Sequence, residues 1–291
     1  MDDATATFTA LRARLHGVAY RMLGSVSEAE DVVQDVWISW NEANQAAIGN
    51  AEAWLVTATT RRAIDRLRAA KARREHYAGI WIPEPVLTGE SHSPESLQEL
   101  ASDVSVAFLL LLERLTPEAR AAFVLREVLD SDYPEIAHTL GKSEAACRQL
   151  VHRAKDQIRD ERPRQSVTPD GHRQLMHRFA SALSAGDFPA IRAMLATDAV
   201  LMGDGGGKVT SFPKPMVGGQ RIAQLFYAAN LRYKYGLMLQ IAEINGEPSL
   251  LRYLNGQLES VQTYVVDGEH ITQILVQRNP DKLERILKAL H

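Results

Sequence analysis

The sequence predicts a multidomain chain in which two all-α modules precede an α+β module. Three observations carry this reading. Apolar residues recur at the three-and-four spacing of amphipathic helices from Phe8 to the end of a basic stretch at Arg74, and again from Leu97 to Ile158. A segment containing Gly79, Pro83, Pro85, Gly89 and Pro94 separates the two blocks. After Pro163 and Pro169, apolar segments of strand length alternate with Asn245-Gly246, Asn255-Gly256 and Asp267-Gly268, dipeptides suited to tight hairpin turns.

Each element follows in order. Phe8, Leu11, Leu15, Val18, Ala19 and Met22 line one face of a first helix, which Gly24 ends. Ser27-Glu28-Ala29-Glu30 has the form of a capping box, and Val32, Val33, Val36, Trp37 and Trp40 continue the apolar stripe of a second helix. A polar loop from Asn41 to Asn50 leads to a third helix over residues 51–74, with Trp54, Leu55, Ala58, Ile64 and Leu67 inward. X-Pro steps disfavour helix in residues 76–96, which read as a linker, ordered or not. Helical spacing resumes at Leu97, Leu100, Val104, Phe108, Leu111, Leu112 and Leu115, and Thr116-Pro117 supplies the N-cap and first-turn proline of the next helix. Ile136, Ala137 and Leu140 run into Gly141. Ser143 then caps a helix whose inner face is Cys147, Leu150, Val151, Ala154 and Ile158. Helices over about 170–185 and 187–196 precede strands at 199–202, 238–244, 249–254, 257–266 and 270–277, an antiparallel meander packed on helices.

Composition bounds the function. With 291 residues, 45% hydrophobic and 24% charged, the chain reads as a soluble globular protein rather than a fibrous or disordered one. The longest uninterrupted apolar run, Val106 to Leu112, is far short of the roughly 20 residues of a membrane span. The start Met1-Asp2-Asp3 lacks the basic and apolar stretches of a signal peptide, so a cytoplasmic location and no membrane partner are expected. Cys147 is the single cysteine, which excludes multi-cysteine zinc and iron-sulfur sites. The net charge of -3 conceals an uneven distribution. Arg61, Arg62, Arg66, Arg68, Lys71, Arg73 and Arg74 crowd a stretch whose only acid is Asp65, whereas no Lys or Arg occurs from Glu75 to Glu113, where Glu84, Glu90, Glu95, Glu99 and Asp103 gather. A basic stripe on one helix is followed by an acidic connector.

Tyr133 to Ile158 has the layout of a helix-turn-helix, with the turn at Gly141-Lys142 and small Ala137 allowing close crossing. Glu144, Arg148, Gln149, His152, Arg153 and Lys155 fall on the outward face of its second helix. Arg pairs with guanine and Gln with adenine in bidentate fashion, while Lys and His suit phosphate, so this face fits a major-groove reader. A helical hairpin with a solvated polar face is the plainer alternative.

The segments Ala29-Glu30-Asp31-Val32-Val33-Gln34-Asp35-Val36-Trp37, Ala53-Trp54-Leu55-Val56-Thr57 and Asp65-Arg66-Leu67-Arg68, followed by the helix-turn-helix, resemble bacterial extracytoplasmic-function sigma factors over residues 8–160. The resemblance implies a region-2 domain at 8–76, a linker at 77–96 and a region-4 domain at 97–160, which together direct core RNA polymerase to promoter DNA for initiation. It also implies that the face of Glu30, Asp31, Gln34, Asp35 and Trp37 meets the clamp helices of the largest polymerase subunit, and that region 4 meets the flap of the second subunit. Arg61, Arg62, Arg66 and Arg68 would approach the minus-10 element, with phosphate neutralisation as the physical basis. Asn44 and Asn50, in the loop that accepts a flipped base in the family, would recover its unstacking energy together with Trp54, which is equally suited to core packing. Glu144, Arg148, Gln149, His152, Arg153 and Lys155 would read the minus-35 element.

Residues 168–291 resemble SnoaL-like cone domains of the nuclear-transport-factor-2 fold. Trp81-Ile82-Pro83-Glu84-Pro85, Asp204-Gly205-Gly206-Gly207-Lys208 and Asn279-Pro280-Asp281-Lys282-Leu283 resemble the sigma-factor group in which such a domain is a built-in regulator, although the group's linker motif has Leu where Ile82 stands. Trp81, Pro83, Glu84, Pro85, Asp204 to Lys208, Asn279, Pro280, Asp281 and Lys282 are therefore the expected interdomain contacts, with loop 204–208 beside Trp81 to Pro85. Val209 and Met202 break the nucleotide-loop pattern around the glycines, and no cofactor or metal is expected. A monomer is expected. The competing readings of the cone are an enzyme, for which Asp198, His177, Tyr227, Tyr264 and His270 are candidates, and a sensor of an unidentified small molecule. A pocket containing a buried Asp paired with a Tyr or His would favour the first and an apolar, acid-free pocket the second.

Overall fold

The computed structural model describes residues 3–74, 77–88, 104–159 and 167–290, with side chains for 4–70, 77–88, 104–159 and 167–290. It divides into two compact units, Met1–Glu75 with Phe108–Arg162 and His76–Ala107 with Pro163–His291. No helix among the described residues is long and apolar enough to cross a membrane.

In the first unit, α1 (Asp3–Leu23), α2 (Val26–Glu42) and α3 (Ala51–Arg74) pack around Leu15, Val18, Met22, Val32, Val36 and Leu55, all buried. Gly24 adopts a left-handed φ of 65° at the end of α1, as a helix-ending glycine does. The cap of α2 differs from the sequence reading: Ser25 rather than Ser27 is the N-cap and accepts from the Glu28 N–H, so the same Ser-x-x-Glu pattern begins two residues earlier. After α4 (Val106–Leu112), Thr116 caps α5 (Pro117–Glu127). Next come α6 (Tyr133–Leu140), closed by left-handed Gly141, and α7 (Glu144–Arg159), where Ser143 accepts from the Ala146 N–H. Cys147, Val151, Ala154 and Ile158 are buried as spaced, while Leu150 is only half-buried. Leu97 and Leu100, expected on the helix that becomes α4, lie outside the described residues.

In the second unit, α8 (Pro169–Ala185) and α9 (Phe188–Ala193) lead into a six-stranded sheet of order β2-β1-β6-β5-β4-β3. Its strands are β1 (Leu195–Asp204), β2 (Met216–Val217), β3 (Leu237–Ile244), β4 (Glu247–Leu254), β5 (Gln257–Asp267) and β6 (His270–Gln277). The meander β3 to β6 is antiparallel, but β1 runs parallel to β6, so the sheet is mixed. Asn245-Gly246 and Asn255-Gly256 both take positive φ, the primed turn that matches strand twist. The last hairpin turns one residue later than expected, on Gly268-Glu269, because Asp267 still pairs with His270.

Two helices escape the sequence reading: α10 (Gly219–Tyr233) and α11 (Pro280–Ala289). In α10 the outward Tyr227 and Leu231 are apolar as well as the inward Ile222 and Ala223, which blurs the helical stripe. One sheet face joins α8 and α10 around Phe179, Leu201, Ile222, Tyr264 and Ile274. The alternate residues Leu251, Val261 and Leu275 are equally buried on the other face, which belongs to α11 and the linker.

Candidate functional site

The most connected polar group of the second unit is Asp204, at the end of β1 on the linker-bearing face and wholly buried. Its Oδ1 accepts from the Tyr77 hydroxyl at 2.7 Å and the Gly206 N–H at 2.9 Å. Its Oδ2 accepts from the Ile82 N–H at 3.0 Å, Gln277 Nε2 at 3.3 Å and Lys282 Nζ at 2.7 Å. Lys282 also donates to the Ile82 carbonyl at 2.7 Å and lies 4.3 Å from the Trp81 ring centre, so one buried ammonium joins a carboxylate, a linker carbonyl and an indole face. Burial and the neighbouring Asp204 push the Tyr77 phenol far above its ordinary range.

The glycines explain themselves at two positions. Gly206 and Gly207 have φ of 63° and 71°; a Cβ on the first would sit 2.4 Å from the Asn279 side chain and on the second 2.9 Å from Ala78. Only glycine lets this loop turn and approach the linker so closely. Asn279 caps α11 through the Asp281 N–H and donates to the Tyr77 hydroxyl at 3.0 Å. Lys208 differs from expectation: it pairs with Asp281 at 2.7 Å inside the domain, bracing the loop rather than meeting the linker. Pro83 and Pro85 are buried, and buried Glu84 lies 3.4 Å from Arg285, so the acidic connector is partly an interior strap rather than a solvated one. Leu87 bridges antiparallel to Ile244. Sequence reasoning missed Tyr77, Gln277 and Arg285, although each neighbours a quoted motif.

In the first unit the basic stripe is divided among partners. Arg61 donates to the Thr139 and His138 carbonyls, both at 2.9 Å, where the C-terminal carbonyls of α6 favour a cation. Arg68 pairs with Asp65 at 3.1 Å and Glu118 at 2.6 Å, and its hydrogen bond holds the Glu118 carboxyl below the usual carboxylate range. Arg62 donates to Ser39. Arg66 bridges Asp31 at 3.3 Å and Asp35 at 3.1 Å, so the α2 face that bears these acids carries a cation delivered from α3 by the fold. Lys71, Arg73 and Arg74 have no described side chains. Buried Arg120 ties α5 to α1 through the Met22 carbonyl at 2.6 Å and to Glu113 at 2.7 Å. The two helical modules are thus packed together in this form.

Glu30 is half-buried and Gln34 exposed on α2, while Trp37 packs 4.7 Å from Phe8 and so joins α1 to α2. Asn44 is exposed, and Asn50 caps α3 by accepting from the Ala53 N–H at 3.0 Å. Trp54 is half-buried with its ring 5.4 Å from Trp40. On α7, Arg148, Gln149, His152, Arg153 and Lys155 are exposed and Glu144 half-exposed. Arg148 pairs with Glu144 at 2.7 Å and lies 4.8 Å from the Tyr133 ring centre; Lys155 reaches Glu127 at 2.8 Å, and His152 faces Asp156 at 3.0 Å.

The catalytic candidates are not brought together. Asp198, His177, Tyr227 and His270 are exposed, and Tyr264 alone is buried, donating to Gln262 at 2.8 Å. Phe179 packs edge-on against Tyr264 at 5.6 Å and Phe226 at 5.9 Å, so Tyr264 belongs to the aromatic core of this domain.

Residues 7–73 match the Sigma-70 region 2 family and residues 105–158 the Sigma-70 region 4 family. The chain is 37% identical over 289 residues to "ECF RNA polymerase sigma factor SigJ" of Mycobacterium tuberculosis, covering 94% of this chain and 91% of that one. It is 30% identical over 292 residues to the same organism's "Probable ECF RNA polymerase sigma factor SigI", covering 99% and 98%. The crystal structure of the M. tuberculosis SigJ protein superposes with a TM-score of 0.79 and 31% identity over 97% of this chain and 98% of that one. Similarity of this extent, with both sigma regions in place, means that the chain belongs to the extracytoplasmic-function RNA polymerase sigma factors, which bind polymerase core and promoter DNA to direct transcription initiation.

Proposed function

We propose that the C-terminal α+β domain regulates this sigma factor in cis by gripping the linker between its two promoter-binding modules. The observation that carries the reading is the buried Asp204 carboxylate, which takes hydrogen bonds from Tyr77 and Ile82 of the linker and from Lys282 of α11. While residues 77–88 are held, the Arg61 and Arg68 contacts to α6 and α5 persist. Phosphates of the minus-10 element compete for those same guanidinium groups. Promoter binding then requires the modules to part, and release of the linker lowers the cost by population shift.

In the open form, Arg61, Arg62, Arg66 and Arg68 neutralise minus-10 phosphates, and Asn44, Asn50 and Trp54 receive the flipped base. Arg148, Gln149, His152, Arg153, Lys155 and Glu144 read the minus-35 element. The α2 face of Glu30, Asp31, Gln34, Asp35 and Trp37 meets the clamp helices of the largest subunit, and region 4 meets the flap of the second. The protein works in the cytoplasm as a monomer and performs no chemistry of its own.

In vitro transcription with core polymerase tests this. Full-length chain, Asp204→Asn and a chain ending near Pro163 are compared at one promoter. Higher output from Asp204→Asn than from the full-length wild type supports the reading. Equal output from all three chains overturns it.

A further inference from the structure

Region 4 ties its helices together through one ring. Tyr133 opens α6 directly after the N-cap Asp132, and its half-buried side chain meets residues from both neighbouring helices. Arg148 of α7 places its guanidinium carbon 4.8 Å from the ring centre, and Arg126 of α5 places its own at 5.4 Å. Both distances fall inside the roughly 6 Å over which the negative face of an aromatic ring attracts a cation. Each guanidinium also has a carboxylate of its own. Arg148 Nη2 donates to Glu144 Oε2 at 2.7 Å, one turn earlier on α7. Arg126 lies 3.4 Å from Asp130 and donates to the Ser131 carbonyl at 2.9 Å. Two like charges can therefore share one ring, and a line of contacts from Ser131 through Arg126 and Tyr133 ends on Arg148.

The Arg148 side chain is 55% exposed, so without these contacts it would sample many rotamers. A long side chain that must be immobilised at an interface lowers affinity by the freedom it loses, and a side chain already held loses less. Glu144 supplies only a partner on the same helix, an exposed pair of the kind that contributes little. The ring instead fixes the guanidinium to a second helix. Among the described residues only Nη2 of Arg148 has a hydrogen-bond partner, which leaves Nη1 and Nε with N–H groups for the O6 and N7 acceptors of guanine.

We infer that Tyr133 is a positioning residue for promoter reading: its ring holds the Arg148 guanidinium in place, so the first helix of the helix-turn-helix tunes the specificity of the second. The inference rests on the reading that Arg148 contacts a base pair of the minus-35 element.

Three replacements grade the ring. Tyr133→Phe keeps it and removes only the hydroxyl. A ring-fluorinated phenylalanine at position 133 keeps nearly the same size and withdraws negative charge from the face. Tyr133→Leu keeps apolar bulk and removes the face altogether. Each is made in the full chain and assembled with core polymerase. Binding is measured at several salt concentrations on a duplex that the wild-type holoenzyme selects from a pool randomised at the minus-35 element, and on duplexes with one base pair of that element exchanged at a time. The same replacements are then repeated beside Arg148→Ala.

Tyr133→Phe is expected to discriminate as the wild type does. The fluorinated ring and Tyr133→Leu are expected to lose roughly two- to fivefold of the preference, the range of an exposed cation–ring contact, at the base pair to which Arg148→Ala also becomes indifferent. Their salt dependence stays that of the wild type, because no phosphate contact is removed. Beside Arg148→Ala neither replacement has a further effect on discrimination. A merely structural role for Tyr133 would weaken binding to selected and exchanged duplexes alike and would persist beside Arg148→Ala, and that result overturns the inference. Full discrimination by the fluorinated ring overturns it as well, and this arm stands even where Tyr133→Leu fails to fold. If Arg148→Ala loses discrimination while the fluorinated ring loses none, base reading by Arg148 stands and positioning by Tyr133 falls; if Arg148→Ala loses none, both fall.

Discussion

Asp204→Asn is the sharpest perturbation of the clamp, because it changes almost no volume. The carboxylate accepts five hydrogen bonds, and a carboxamide has one oxygen with which to replace them. If the new NH2 takes the Oδ2 position, it faces the Ile82 N–H, the Gln277 amide and the Lys282 ammonium, which are all donors. If it takes the Oδ1 position, it faces the Gly206 N–H and the Tyr77 hydroxyl, of which only the hydroxyl can turn to accept. In either case the Lys282 ammonium, with its side chain 11% exposed, loses its counter-charge. Removing one partner of a buried ion pair costs about 3 to 5 kcal/mol. The lower end applies here, because the Ile82 carbonyl and the Trp81 ring still attend the ammonium. For a unit of this size about 3 kcal/mol lowers the melting temperature by roughly 6 to 12 °C. The assay is a thermal melt of the full chain together with amide exchange at Ile82, whose N–H the carboxylate holds. Adding Lys282→Met removes the stranded charge, so the double variant should recover a large part of the loss. A single variant that melts within 2 °C of wild type (about 1 kcal/mol at most) and keeps its Ile82 amide protected would refute the clamp as an energetic device.

Three further outcomes follow from particular side chains. Burial raises the Glu247 pKa from 4.5 to about 7, so between those values the folded chain holds a proton that the unfolded chain has lost. Its contribution, at most about 3 kcal/mol, is full at low pH and is lost as pH rises through 7. Glu247→Gln should therefore flatten the fall in melting temperature between pH 5 and 8, and parallel wild-type and variant profiles would count against it. Asn50→Ala removes the cap of α3 and should lower stability by about 1 kcal/mol in a denaturant titration, whereas an unchanged midpoint would show that the cap carries no weight. Arg148→Ala, at an exposed position, should leave the melt within about 0.5 kcal/mol yet lower discrimination of the cognate minus-35 element by roughly 1 to 3 kcal/mol; equal losses on cognate and scrambled duplexes would remove its base-reading role.

Local physics made much of this molecule legible. Helix ends such as Gly24, Thr116-Pro117 and Gly141 depend on φ and on unpaired N–H groups within a few residues, so their chemistry is written in consecutive letters. The same holds for Asn245-Gly246 and Asn255-Gly256, and for the outward face of α7. Failures came where a second segment decides. Whether α10 is a helix or a strand depends on what covers Tyr227 and Leu231, and an apolar residue left exposed looks in sequence like one that is buried. The parallel pairing of β1 with β6 joins segments that no hairpin connects, and no local signal specifies it.

The charges show the same division. That seven cations crowd residues 61–74, and that Asp204, Lys282 and Trp81 stand in recognisable motifs, can be read from the residue order alone. Their partners come from folding: Arg66 turns to Asp31 and Asp35, Arg61 turns to carbonyls of α6, Lys208 stays within its own domain, and Asn245 bonds both Val86 and Val104. The reason is one of range. A cap or a turn is satisfied by its chain neighbours, whereas a long charged side chain or a buried amide takes whichever partner the fold brings within about 3 Å, and that choice is made by contacts remote in sequence.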